Sequence, residues 1–152
     1  MSKTPKGPPD WYRLDNAGVL YSALQREKYS PVYRFSAVLS QPVDPAVLQR
    51  AVDRTMPRFP GFRVRMKPGV FWHYFEPNDS PGPFVRPDMS NPCQPIRFRE
   101  DNGWLVRFFY YQSRISLEVF HAVSDGAGAL TFFRTLLAVY LRELGPPIPC
   151  GP

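Results

Sequence analysis

The chain is poor in the residues that most often carry metal or redox chemistry. Of its 152 residues only two are cysteine, Cys93 and Cys150, and only two are histidine, His73 and His121. The cysteines stand alone in loop-like stretches, so neither a disulfide framework nor a zinc spacing is present, and no metal is expected. A reduced, cytoplasmic setting is the default for such usage. No apolar run approaches the about 18 residues that a membrane helix needs. Met1 to Asp10 has no hydrophobic core of the kind a signal peptide carries. Charge is abundant but not gathered. Nineteen Lys and Arg against thirteen acids give +6, yet the arginines are scattered from Arg13 to Arg142. The dense basic stripe of a nucleic-acid binder is missing, and no nucleic acid is expected as partner. Scattered positive charge is compatible with a phosphate-bearing ligand without demanding one.

What is present suits one globular domain. The chain is 43% hydrophobic and 15% aromatic, and at this length it can bury about 68–70% of its unfolded surface. Its nineteen prolines follow no repeat period and punctuate turns. Residues 1–10 read as a flexible arm, 11–144 as the folded domain and 145–152 as a linker-like tail.

The elements follow from periodicity. Val32 to Leu39 alternates, with Tyr33, Phe35, Ala37 and Leu39 on one face of a strand. Asp44-Pro45 opens a helix with a capping residue and a proline at its first position. Val47, Leu48, Ala51, Val52 and Thr55 form its apolar stripe, and Met56-Pro57 ends it. Phe62–Met66 and Val70–Phe75 read as a hairpin about Lys67-Pro68-Gly69. His73, in the second of these strands, is expected to be exposed or packed among aromatics. Glu76 to Gln94 reads as a long loop and Pro95 to Arg99 as a short strand. Trp104 to Tyr111, apolar on both faces except for Arg107, predicts a central strand that turns at Gln112-Ser113. A last helix runs to about Leu144, with Leu130, Phe133, Leu137, Tyr140, Leu141 and Leu144 along a stripe that Phe132 and Leu136 widen. That stripe is broader than one packing face requires.

The chemistry concentrates between the last strand and the last helix. Ile115, Leu117 and Val119 alternate with Ser116 and Glu118, a strand with one buried and one polar face. At His121 the alternation gives way to a turn ending in Asp125-Gly126. One imidazole, one carboxylate and a helix N-terminus therefore meet in a small volume, the parts of a general-base site. If strand register persists to His121, its ring shares the side of Ile115, Leu117 and Val119 at the edge of the core. Partial shielding and the positive end of the helix then both favour the neutral, proton-accepting ring. The plainer alternative is a buried histidine satisfied by a backbone carbonyl. Asp125 is either the helix N-cap, an orienting group for His121, or the partner of a buried arginine. Gly126 and Gly128 imply a close approach to the backbone at the helix start.

His121-Ala122-Val123-Ser124-Asp125-Gly126 resembles the His-x-x-x-Asp-Gly core of the chloramphenicol acetyltransferase-like superfamily. That group includes the condensation domains and the bacterial alcohol acetyltransferases. The full signature has two histidines, of which Phe120 stands in place of the first and His121 in place of the second, the general base. The segments from Trp11 to Leu20, Arg54 to Pro77 and Arg114 to Leu141 are similar in order and character to the alcohol acetyltransferase branch. The resemblance implies an α+β fold, a mixed and largely antiparallel sheet packed with helices, corresponding to the N-terminal lobe of a two-lobe protein. It implies that His121 deprotonates an alcohol or amine acceptor that attacks acetyl-coenzyme A or another acyl thioester. It implies no tightly bound cofactor, and Asp125 and Gly126 as structural support of the site. The second lobe would come from elsewhere or from self-association. A non-catalytic half-domain acting as an interaction or dimerisation module is the alternative.

Overall fold

Four strand segments build the larger of two sheets found among the described residues. The computed structural model describes residues 12–13, 32–68, 73–89, 91–97 and 99–145. Its strands are β1 (Tyr12–Arg13), β2 (Val32–Val38), β3 (Val64–Pro68), β4 (His73–Pro77), β5 (Arg86–Pro87), β6 (Val106–Tyr111) and β7 (Arg114–Phe120). Among the described residues the α-helices are α1 (Pro45–Thr55) and α2 (Gly126–Leu144). The larger sheet has the order β2-β7-β6-β5, antiparallel except for the parallel β5–β6 edge. The smaller has the order β1-β4-β3 and is antiparallel throughout.

Tyr33, Phe35 and Ala37 of β2 lie in register with Val119, Leu117 and Ile115 of β7. This face carries both helices. α1 is capped as its first residues demand: Asp44 Oδ1 accepts from the N–H groups of Ala46 at 3.0 Å and Val47 at 3.2 Å. Its stripe of Val47, Leu48, Ala51, Val52 and Thr55 is buried. α2 buries Ala129, Phe132, Phe133, Leu136 and Tyr140. Its deepest line therefore runs through Phe132 and Leu136, while Leu137 and Leu141 are only partly buried and Leu144 is exposed. Phe132 sets this rotation by stacking on Phe62 at 4.6 Å and meeting Phe59 edge-on at 5.0 Å. The Asp44 N–H donates to the Tyr140 hydroxyl at 3.0 Å, tying the end of α2 to the start of α1. A second apolar cluster, Val32, Val64, Met66, Phe75, Ile96, Leu105 and Phe120, joins the two sheets.

Three expectations change. Pro95–Arg97 is not a strand: Ile96 is buried as a single plug under the smaller sheet, while its neighbours are exposed. The stretch after Pro77 is not a plain loop, because β5 adds a parallel edge to β6 and the Asp88 side chain is buried beside it. The polar face of β7 is not solvated either, since Ser116 and Glu118 are each 1% exposed. The arm, the tail, Cys150 and the His73 side chain lie outside the described residues, as does the turn of the β3–β4 hairpin.

Candidate functional site

β7 ends because its pairing ends. The Phe120 N–H donates to Leu105 O at 3.0 Å, and the Val123 N–H returns to Phe120 O at 2.9 Å, closing a tight turn. Phe120 is fully buried on the face turned toward the smaller sheet. His121 is the first residue of the turn rather than the last of the strand, so the register argument stops one residue short of it. Its side chain is exposed instead of lining the core edge with Ile115, Leu117 and Val119. The shielding expected from strand parity is not there, and the residue is not buried as the plainer alternative required.

A residue of β2 holds this turn. Tyr33 sits opposite Val119 in the ladder, and its ring meets His121 edge-to-face with centroids 5.1 Å apart at 67°. Its hydroxyl lies 2.9 Å from two consecutive carbonyl oxygens, Ser124 O and Asp125 O, and shares its single proton between them. Burial, and then the negative charge of Asp125, push the Tyr33 phenol up to about 12. It therefore remains a protonated donor at neutral pH.

Asp125 takes the capping role of the three open to it. Its backbone is extended, with φ −74° and ψ 173°, and Oδ1 accepts from the Gly128 N–H at 2.8 Å. Such a cap is worth about 1 kcal/mol. Among the described residues Asp125 forms no ion pair. The two glycines differ. A Cβ on Gly128 would strike Ser124 Oγ and come within 3.1 Å of Asp125 Oδ1, so the close approach inferred for this region belongs to Gly128. A Cβ on Gly126 would meet nothing within 4 Å. The helix start next to His121 is open to whatever approaches.

The polar face of the sheet holds a buried ionic network that the sequence did not reveal. Glu118 pairs in register with Arg34 of β2 and Arg107 of β6. Glu118 Oε1 accepts from Arg34 Nη2 at 2.9 Å and from the Cys93 N–H at 2.5 Å, and Oε2 lies 2.7 Å from Arg107 Nη2. Arg107 also donates to Gln94 O. Arg34 binds Asp88 through both terminal nitrogens, at 2.7 and 2.9 Å, and Arg114 adds a third contact at 2.9 Å. The Arg34 guanidinium, above all, holds the Asp88 carboxyl below the usual range. Burial pushes the Cys93 thiol up, reinforced by Glu118. The signal was available as one acid in mid-strand with arginines in two other predicted strands, but it becomes legible only once the register is known.

A half-open cavity of about 600 Å³ near β5 is lined by Arg86, Met89, Gln94, Ile96 and Arg107 among others, with no residue of the 121–126 turn. Among the described residues no cluster of His, Cys, Asp and Glu fits a metal ion. None of the described helices is long and apolar enough to cross a membrane.

Neither protein-family models nor the curated proteins give a match. Solved structures do. The X-domain from teicoplanin biosynthesis superposes with a TM-score of 0.71 at 18% identity, over 97% of this chain and 36% of its own. The same X-domain in complex with OxyB gives 0.72 at 16% identity, over 98% and 37%. The starter condensation domain of rhizomide synthetase RzmA, in a variant bound to C8-CoA, gives 0.66 at 20% identity, over 92% and 38%. The fold is that of part of a condensation domain. The chain spans well under half the length of these structures, and within it the mixed, mainly antiparallel sheet with helices on one face is the expected α+β lobe.

Proposed function

We propose that this chain is the base-bearing lobe of a coenzyme A-dependent acyltransferase, with His121 as general base. The single observation that supports the reading most is the placement of His121-x-x-x-Asp125-Gly126 at the β7–α2 junction of a condensation-type fold. There the imidazole is exposed and the Gly126 backbone beside it is uncovered. A base that must reach an acceptor hydroxyl or amine has to be accessible, and His121 is. The acceptor loses its proton to the ring as its oxygen or nitrogen attacks the thioester carbonyl. The coenzyme A thiolate leaves and takes up a proton. Asp125 and Gly126 contribute by shaping the turn. Donor positioning, which multiplies the effect of a placed base, is assigned to a second lobe or a second copy. The RzmA neighbour, bound to C8-CoA, makes an acyl-coenzyme A the donor class to test first. The finer likeness to alcohol acetyltransferases rests on the motif and its flanking segments.

The test is calorimetric titration of acetyl- and octanoyl-coenzyme A, first with this chain alone and then with a second lobe added. Acyl-transfer assays with varied alcohols and amines follow. His121→Ala should lower kcat about 10²–10⁴-fold, the usual worth of a positioned base, with an unchanged thermal midpoint. Turnover within a fewfold of the parent would overturn the assignment. An interaction module is the second reading, motivated by the neighbour that was solved with OxyB. No thioester binding in either titration, together with self-association or partner binding, would favour it.

A further inference from the structure

One side chain outside the motif makes three contacts to it. Tyr33 lies 88 positions before His121 in sequence, yet its hydroxyl bridges Ser124 O and Asp125 O and its ring meets the imidazole edge-on. Three further bonds in the turn are local. Val123 N–H returns to Phe120 O, Ser124 Oγ donates to Asp125 O at 3.1 Å, and Gly128 N–H caps on Asp125. A phenol that bridges consecutive carbonyls fixes the plane between them, and its rigid ring then limits where the imidazole can swing. Tyr33 is itself anchored, because Phe35 meets it edge-on at 5.7 Å, while β2 is paired to β7 along its whole length.

We infer that Tyr33 is a positioning residue for His121, constraining the direction in which the exposed imidazole points. Its role rests on the acyl-transfer reading only for what His121 then does. The placement can be read on the ring itself. The phenol supplies no proton to the reaction. It orients the base through the backbone carbonyls and through ring contact.

Tyr33→Phe keeps the ring and deletes the bridge, so it separates orientation from packing. The chain has two histidines, and His121→Ala assigns the imidazole resonances by subtraction. In the full chain, Tyr33→Phe should shift and broaden the His121 ring signals. It should also raise the rate of His121 carbethoxylation by diethylpyrocarbonate about three- to tenfold, the factor that one lost intramolecular hydrogen bond is worth. His73 should be unaffected. Ser36→Ala is the control: it removes the 2.8 Å Ser36–Ser116 hydroxyl contact on the opposite face of the same strand, and it should leave the His121 signals in place. Unchanged ring signals and rate in Tyr33→Phe would overturn the inference. So would a joint change in both histidines, because that marks general loosening of the fold. If His121 proves not to be the base, transfer assays with His121→Ala will show it, while the ring measurement still decides whether Tyr33 orients it.

Discussion

Gly126 and Gly128 look interchangeable as letters but occupy different surroundings. At Gly128 the volume of a Cβ is already taken by Ser124 Oγ and by the carboxylate that caps α2; at Gly126 it is empty. Gly126→Ala should therefore be neutral or stabilising by up to about 1 kcal/mol through helix propensity. Gly128→Ala should lose about 1 kcal/mol or more as the cap is displaced. Urea unfolding of the two variants measures the difference. Adding Ser124→Ala to Gly128→Ala should restore part of the loss, and failure to do so would place the strain elsewhere. His121 teaches a related point at the same scale. Its identity and its motif could be read directly, but its exposure could not. Strand parity holds only while the ladder continues, and the ladder stops at Phe120.

β7 was expected to have one solvated face, and instead it is buried on both. Glu118 lies between two arginines that the register places directly beside it. Its side chain is 2% exposed. Removing one member of a buried network leaves uncompensated charge behind, so Glu118→Ala should cost about 3–5 kcal/mol. Replacing the Glu118–Arg107 pair with Leu and Met keeps the volume and spares the Arg34–Asp88 pair. That double variant should recover part of the loss, because the Arg107 charge is no longer left unpaired, while Arg34 and the Cys93 N–H still lose their Glu118 acceptor. A double variant as unstable as Glu118→Ala would mean that the network contributes more than charge balance. The strand itself was legible as an element, because Ile115, Leu117 and Val119 alternate whichever way the other face turns. β5 was not legible, since a two-residue strand ending on a proline, Arg86–Pro87, has no periodicity to detect.

On the scale of the whole molecule, Asp88 joins parts that are distant in sequence. It ties the stretch after β5 to Arg34 of β2 and Arg114 of β7, on the sheet face away from the helices. Its carboxyl is held below the usual range by Arg34, so folding stabilises the charged form. That contribution is present above the unfolded value of about 3.9 and is lost as pH falls through the lower folded value. The stability gap between the parent and Asp88→Asn should therefore be widest near neutral pH and should close below about pH 4. Unfolding measured across that range checks it, and a gap independent of pH would deny the carboxylate its role.

The sequence by itself determined β2, α1, β6, β7 and α2, because each has a period or a cap that local physics reads without partners. It also determined the motif at His121, because six residues in a row are a local fact. The tertiary structure alone decided that His121 is exposed, that Tyr33 reaches its turn, and that the Glu118 and Asp88 side chains are buried among arginines. Each of those depends on which strand lies beside which and at what register. That is set by the sum of packing across the sheet and is written in no single stretch of the chain.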